Sequence, residues 1–203
     1  MGRWIHVLGR FAPRALPGFV PLALASVAFS TPPAVPPVAY DPAPTALVAS
    51  VREVLGEIAD ADPGPSIQVF GDGRVAVHFP HYMIRAGDWT DHLSPAELQR
   101  LVRTLVDDGL LDFDDRATRA AVGRVQSARR AAALRGEATV FEASDPSTTT
   151  IALRAGGRAH TVVWRGLRAD AHTLPDVAEI QRLRHAHDAL QALATRPGLR
   201  RIP

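Results

Sequence analysis

The chain has 203 residues, contains no cysteine, and carries 23 basic and 21 acidic side chains. The absence of cysteine excludes thiol nucleophiles, cysteine-ligated zinc, disulfides and a lipid-anchored cysteine. All basic residues are arginine, and three of them (Arg3, Arg10 and Arg14) lie near the N-terminus, which leaves 20 Arg against 21 acids in the rest of the chain. A nearly neutral domain has no general electrostatic attraction for phosphate backbones, so no nucleic-acid partner is expected.

Residues 1–30 predict an export signal. A basic segment is followed by an apolar run (ALPGFVPLALASVAF, residues 15–29) that ends in small residues, which is the arrangement of a secretory signal peptide. The run is shorter than the roughly 20 residues that a membrane span needs, so no stable span is expected after cleavage. We therefore expect a periplasmic or extracellular protein. Residues 31–44 are proline-rich and predict a semi-rigid linker.

The folded part is predicted to be one domain over residues 45–203. Thr45 is placed to cap a helix that reaches about residue 60, because apolar residues such as Val48, Val51 and Leu55 recur at helical spacing. The sequence DPGP that follows is predicted to end this helix.

Residues 66–79 predict a β-hairpin around the sequence GDG. A three-residue loop that ends in a left-handed Gly73 pairs Val69 with Val75 and gathers the apolar side chains on one face. A two-residue loop would mix the two faces, so the three-residue loop is favoured.

The rest of the chain predicts three helices and further strands. After an irregular connector at residues 80–92, Ser94 starts a helix with Pro95 and Glu97 in its first turn, as in a capping box. The remaining predicted elements are a helix at residues 114–135 with six arginines, strands at 139–143 and 148–165 with a turn at Gly156-Gly157, and a helix from about Pro175 to Ala194.

Two segments of the chain are alike. Residues 96–101 read AELQRL and residues 178–183 read AEIQRL, and each helix follows a hairpin closed by Gly-Arg. We interpret residues 66–110 and 148–194 as a duplicated strand–strand–helix unit, with chance similarity of short helices as the alternative. Two units joined edge to edge predict an α+β fold, with an antiparallel sheet of four to six strands and helices mainly on one face.

The GDGR hairpin, the LSPAELQRL…DGLL helix and the Thr-rich second hairpin resemble exported bacterial proteins with no assigned activity. The resemblance covers residues 66–165, about half the chain, and it implies no activity. In layout, tandem small α+β units in an exported protein are similar to binding or inhibitory modules such as the PepSY domains and the β-lactamase inhibitory protein. This second likeness concerns the fold alone.

The two connectors share polar residues that neither turn chemistry nor a core requires, and they also contain aromatic residues. Arginine and aromatic side chains dominate binding hot spots, and loops on a rigid scaffold concentrate binding residues. The alternative is packing, in which each Arg pairs with a nearby Asp and each Trp covers the sheet edge. The candidate partner-binding residues are Tyr82, Arg85, Asp88, Trp89, His92, Trp164, Arg168, Asp170 and His172.

No sequence pattern commits the chain to a metal, a cofactor or a covalent reaction. His185 and His187 are two positions apart on a predicted helix and point in different directions, so they cannot share an ion. The acidic cluster of residues 107–115 lacks the order of a calcium loop. His187 is interpreted as a satisfied buried histidine, and no nucleophile elbow or phosphate-binding loop is present.

These features favour an exported, non-enzymatic binding or inhibitory module, whose partner would be another envelope or extracellular protein. A hydrolase with an unrecognised active site and a structural envelope protein are the alternatives. A deep pocket in which titratable groups converge would favour the hydrolase, and an exposed aromatic patch would favour binding.

Export is testable without knowledge of the partner. Residues 1–40, fused to a reporter that is active only outside the cytoplasm, are expected to give signal. Mass spectrometry of the exported protein should find a mature N-terminus between about residues 24 and 32, where the small residues lie. An exported protein that still begins at Met1 would contradict the cleaved signal.

Overall fold

A computed structural model describes residues 36–56, 64–137 and 146–203. The predicted signal peptide and the strand expected at residues 139–143 lie outside the described residues. Within these ranges, the strands are β1 (Leu47–Val54), β2 (Ser66–Phe70), β3 (Arg74–Phe79), β4 (Gly87–His92), β5 (Thr148–Ala155), β6 (Arg158–Arg165) and β7 (Arg200–Arg201), and the α-helices are α1 (Pro95–Asp107), α2 (Asp115–Leu134), α3 (Leu167–Thr173) and α4 (Ala178–Gln191).

The seven described strands form one antiparallel sheet in the order β6-β5-β1-β2-β3-β4-β7. Strand residues alternate between buried and more exposed, as a sheet covered on one face requires. Helices α1 and α4 pack together, and their Leu98 and Ile180 belong to the same core as Val69 and Ile151 of the sheet. The predicted α+β class, with an antiparallel sheet and helices mainly on one face, is therefore confirmed, but the sheet has seven strands where four to six were predicted.

Residues 47–54 form the central strand β1, so the helix predicted from Thr45 is wrong. Val51 pairs with Ile67 of β2 on one side and with Ile151 of β5 on the other. The register shifts at the start of the strand, where a β-bulge places both Val48 and Ala49 in the core. A bulge breaks the period of two, so buried residues fall at positions 48 and 51, which is also a helical spacing.

The β2–β3 hairpin has the predicted register. Val69 pairs with Val75, and Ile67 pairs with Val77. Gly73 has a φ of 95°, and a Cβ at this position would overlap the carbonyl oxygen of Leu93. The loop therefore needs glycine for its backbone conformation and for the close approach of a neighbouring chain segment.

Helix α1 begins with the predicted capping box. The Ser94 hydroxyl accepts a hydrogen bond from the Glu97 N–H at 3.3 Å, and the Glu97 carboxylate accepts one from the Ser94 N–H at 2.7 Å. The Ser94 hydroxyl also donates to the Glu97 carboxylate at 2.7 Å. This hydrogen bond, together with that from the Ser94 N–H, is the main reason that the pKa of Glu97 falls to about 2. The helices predicted at residues 114–135 and toward residue 194 are also present, as α2 and α4.

Both predicted connectors contain regular structure. Residues 87–92 form strand β4, in which Trp89 pairs with Val77 of β3. Residues 167–173 form helix α3, which begins after a left-handed Gly166. The expectation of irregular loops is wrong at these positions, because polar residues such as Asp and His occupy the exposed face of a strand or short helix that tertiary contacts hold in place.

Part of the predicted linker lies against the domain. The Val38 N–H donates to the Gln99 side chain at 3.1 Å, and the Gln99 amide donates to the Val38 carbonyl at 2.9 Å. The Gly156 N–H donates to the carbonyl of Ala39 at 2.7 Å. Residues 36–44 are thus attached to α1 and to the β5–β6 turn.

The two hairpins do not join edge to edge as predicted, because β1 lies between β2 and β5. Strands β2 and β5 both run antiparallel to β1, so they are parallel to each other. Their hairpin partners β3 and β6 lie on opposite sides of them, each on the side away from β1. Superposing one hairpin on the other would therefore turn the sheet over and place the following helices on opposite faces. The helix likeness is also partial, since Leu183 is buried whereas Leu101 is only partly buried.

Burial along α1 predicts a difference between two neighbouring leucines. Leu98→Ala is expected to lower the free energy of unfolding by about 2 to 5 kcal/mol, because Leu98 is buried in the core and its truncation leaves a cavity. Leu101→Ala should cost about 1 kcal/mol, because Leu101 is partly exposed. Urea denaturation of both variants measures the difference, and equal losses would contradict this assignment of the buried face.

Candidate binding surface

The loop between β3 and β4 presents three large apolar side chains to solvent. Tyr82 is 40% exposed, Met83 is 38% exposed and Ile84 is 107% exposed. Two backbone hydrogen bonds, from Met83 to the Pro80 carbonyl and from Ala86 to the Met83 carbonyl, fold the loop into successive turns. We call residues 80–86 the apolar loop.

Arg85 and Trp89 form the base of the apolar loop. The Arg85 guanidinium lies 4.6 Å from the centre of the Trp89 ring and donates a hydrogen bond to the Ala194 carbonyl at 3.2 Å. The Trp89 indole N–H donates to the Arg85 carbonyl at 2.9 Å, and its ring packs edge-on against Phe79. These contacts fix the loop to the sheet and to the segment after α4.

The other predicted residues of the first connector lie on the opposite face of β4 from Trp89. Asp88 is exposed and accepts a hydrogen bond from His78 at 2.7 Å, rather than pairing with Arg85. His92 is exposed and pairs with Arg74 of β3 in the sheet register. Neither side chain shares a face with the base of the apolar loop.

The predicted residues of the second connector, which we call the second set, mostly contact other residues of the domain. They are Trp164, Arg168, Asp170 and His172. Trp164 is 2% exposed, and its indole N–H donates to the Asp170 carboxylate at 2.8 Å. Burial raises the pKa of Asp170. Arg168 pairs with Glu53 at 3.3 Å, whereas His172 is exposed on α3.

The two sets lie far apart on the sheet. Strands β4 and β6 are separated by four strands, which corresponds to about 24 Å at the usual strand spacing. Trp164 is buried, and Arg168 is held by the buried carboxylate of Glu53 although its side chain is 57% exposed, so a partner has more side chains available to it in the first set. Of that set, Tyr82 is the residue that projects with Met83 and Ile84.

A buried ion-paired cluster lies on the helix side of the sheet. The Nε2 atom of His187 is 2.8 Å from Glu53, and its Nδ1 atom is 3.0 Å from Asp188. The hydrogen bond from His187, opposed by burial and assisted by Arg168, holds the pKa of Glu53 below its ordinary value of 4.5. His187 was predicted to be buried and satisfied, and this is confirmed; Glu53 gave no sequence signal because it was assigned to a helix.

The acidic cluster noted in the sequence lines part of a cavity of about 450 Å³. Thr118 lies on its wall, and the Thr118 hydroxyl is buried without a hydrogen-bond partner among the described residues. The carboxylates of Asp108 and Asp112 are held by His185 and Arg158. Among the residues that the structure describes, no three His, Asp or Glu side chains converge as a metal site would require.

No described helix is long and apolar enough to cross a membrane. Comparisons of the chain with protein-family models, with curated proteins and with solved structures found no match. The geometry of the site is therefore the basis for the functional inference.

Sequence reasoning missed Ile84, the most exposed apolar side chain of the loop. A signal was present, because Tyr82, Met83 and Ile84 are consecutive and lie between Pro80 and Gly87, residues that commonly bound loops. Consecutive apolar residues in a short loop point in different directions, so they cannot all be buried against the same core. At least one of them is therefore expected to be exposed.

The Glu53 cluster predicts a pH-dependent stability. Because the folded pKa of Glu53 is lowered, its carboxylate stabilises the fold above the unfolded pKa, and this contribution is lost as the pH falls through the folded pKa. Glu53→Gln should be less stable than the wild type at pH 7 and should lose less stability below about pH 4.5. Thermal unfolding between pH 7 and pH 3 measures both effects.

Glu137→Gln is the matched control, because Glu137 is exposed and pairs only with nearby Arg135 among the described residues. It should follow the wild-type pH profile. A Glu53→Gln profile parallel to the wild type would show that the cluster contributes no acid sensitivity.

Proposed function

We propose that this protein is an exported, non-enzymatic binding module whose apolar loop inserts into a groove on another envelope or extracellular protein. The observation that carries the proposal is the complete exposure of Ile84 in the second of two successive hydrogen-bonded turns. Exposed large apolar side chains that cluster on an ordered loop are typical of protein-interaction sites.

The rigid base of the loop supports binding rather than disorder. Arg85 is held by the ring of Trp89 and by the Ala194 carbonyl, so the tip loses little conformational freedom when it is buried. Pre-organisation of this kind raises affinity by lowering the entropic cost of association. The tip residues Met83 and Tyr82 are of types enriched at interface cores.

The surroundings of the loop indicate the chemistry of the partner. Arg201 lies beside Gly87 and pairs with Trp89 in the sheet register. Arg85 adds a second positive charge at the base. The partner expected from this arrangement has an apolar groove with an acidic rim, since complementary charges favour correct encounter.

A protein groove is favoured over a lipid surface. The tip offers three apolar side chains, and even a single myristoyl chain gives only marginal membrane binding. The hydrolase alternative gains little support from the buried Glu53–His187 pair, because His187 is fully buried and lines neither of the described cavities of about 450 and 350 Å³.

Site-specific photo-crosslinking tests the proposal in cells that export the protein. A photoreactive residue at position 84 is expected to give one adduct of defined mass in the envelope fraction. The matched control is position 134, because Leu134 is also highly exposed but lies at the end of α2. Adducts at both positions, or at neither, would contradict the proposal.

A second variant separates contact from folding. Met83→Asp should abolish the position-84 adduct and leave the melting temperature within about 1 °C of the wild type, because surface substitutions outside the core have small effects. Leu134→Asp should leave the adduct intact. Sedimentation of the wild type with anionic vesicles, in the absence of any adduct, would identify lipid as the target and overturn the proposal.

A further inference from the structure

The sheet face opposite the helices is open among the described residues. Strand residues with this orientation are exposed or half-buried in β1 through β7, whereas their neighbours in sequence fill the core. The register aligns these residues in rows across the sheet, for example Thr90, Ala76, Gln68 and Ser50. We call this surface the open face.

The open face carries an excess of positive charge. Side chains opposite each other in an antiparallel pair share a face, so the register assigns the strand arginines directly. One acidic strand residue, Asp88, has this orientation, and it is held by His78. The arginines of the open face are Arg52, Arg74, Arg154, Arg165 and Arg200.

Three of these arginines are uncompensated. Arg154, Arg165 and Arg200 are exposed and form no ion pair with a described residue. Arg74 covers the Phe70 ring at 3.7 Å and donates to the Pro44 carbonyl, so its charge is fixed at the surface without an acid. Arg74 and Arg154 lie three strands apart, about 14 Å at the usual spacing.

The open face also carries the exposed Val54 and Val163, but many of the side chains between the arginines are small and polar. They offer hydroxyl and amide groups that can bond to sugar hydroxyls. The aromatic ring of Phe70 is covered by Arg74 and offers no free surface on which nucleic-acid bases could stack. The polar residues of the open face are Ser50, Ser66, Gln68, Thr90, Thr148, Thr150 and Thr161.

We infer that the open face binds an extended, carboxylate-bearing polysaccharide. Charge complementarity comes from the uncompensated arginines, which can pair with carboxylates in bidentate geometry. The hydroxyl and amide groups between them match the neutral part of such a polymer. This binding site is distinct from the apolar loop, whose tip projects from the end of β3 and β4.

Binding of the purified domain to polygalacturonate tests the inference, with dextran of similar length as the neutral control. The wild type should bind polygalacturonate and not dextran, and the affinity should fall as salt is raised. The triple variant Arg154→Gln, Arg165→Gln, Arg200→Gln should bind at least about tenfold more weakly, since several exposed contacts of modest individual strength are lost together.

The control variant removes three arginines from the helices on the other side. Arg100, Arg116 and Arg124 are exposed and form no ion pair with a described residue, so their replacement by Gln matches the change in net charge. This variant should retain wild-type binding. An equal loss would show that net charge alone controls binding and would overturn the inference.

Two further measurements complete the test. Ile84→Ser should bind polygalacturonate like the wild type, because Ile84 lies outside the open face. The proposal that the apolar loop binds a protein can therefore fail without affecting the inference about the open face. Tighter binding to single-stranded oligothymidylate, or to anionic vesicles, with the same dependence on the three arginines would overturn the assignment to a polysaccharide. Circular dichroism confirms that each variant is folded.

Discussion

The rest of the structure depends on the burial of one face of the central strand β1. Its backbone pairs with β2 and β5, so both hairpins are anchored on the same eight residues. Val51 faces the core, and Arg52 therefore faces away from it. Because side chains alternate with a period of two, this orientation is transmitted through the register to every paired strand. The helices cover one side, and most of the arginines of the strands lie on the other.

The same strand explains the most unusual feature of the core. Glu53 follows Val51 on the buried face, which brings a carboxylate beneath α3 and α4. A buried carboxylate is costly unless it is paired and hydrogen-bonded, and His187 and Arg168 provide those partners. Arg168 of α3 is held in this cluster, and Asp170 of α3 accepts a hydrogen bond from buried Trp164. These residues of the second connector therefore stabilise the fold and are less available to a partner. The first connector has no equivalent demand on its loop residues.

The parts of the fold that follow from local chemistry could be predicted from sequence, and the parts that depend on tertiary contact could not. The capping box at Ser94 and the loop at Gly73 are each determined by residues that are close in sequence, and both were predicted correctly. Strand β1 was mistaken for a helix because its bulge gives apolar residues a helical spacing. Strand β4 has little intrinsic strand preference, and its pairing with β3 could not be inferred before the fold was known. The candidate site was predicted only in part, since exposure of the apolar loop and burial of Trp164 are consequences of those contacts.

Net charge is a poor guide to the surface of such a fold. Arginines and acids are nearly equal in number over the chain, and this balance alone gives no reason to expect an anionic partner. The sheet places most strand arginines on the face opposite to Glu53 and Asp91, because these two acids belong to the helix-side face of their strands and pair there with His187 and Arg196. On the opposite face, Arg154, Arg165 and Arg200 form no ion pair with a described residue. A single change of strand register would mix the two sets, so the charge of the open face is a direct product of the β1 alignment.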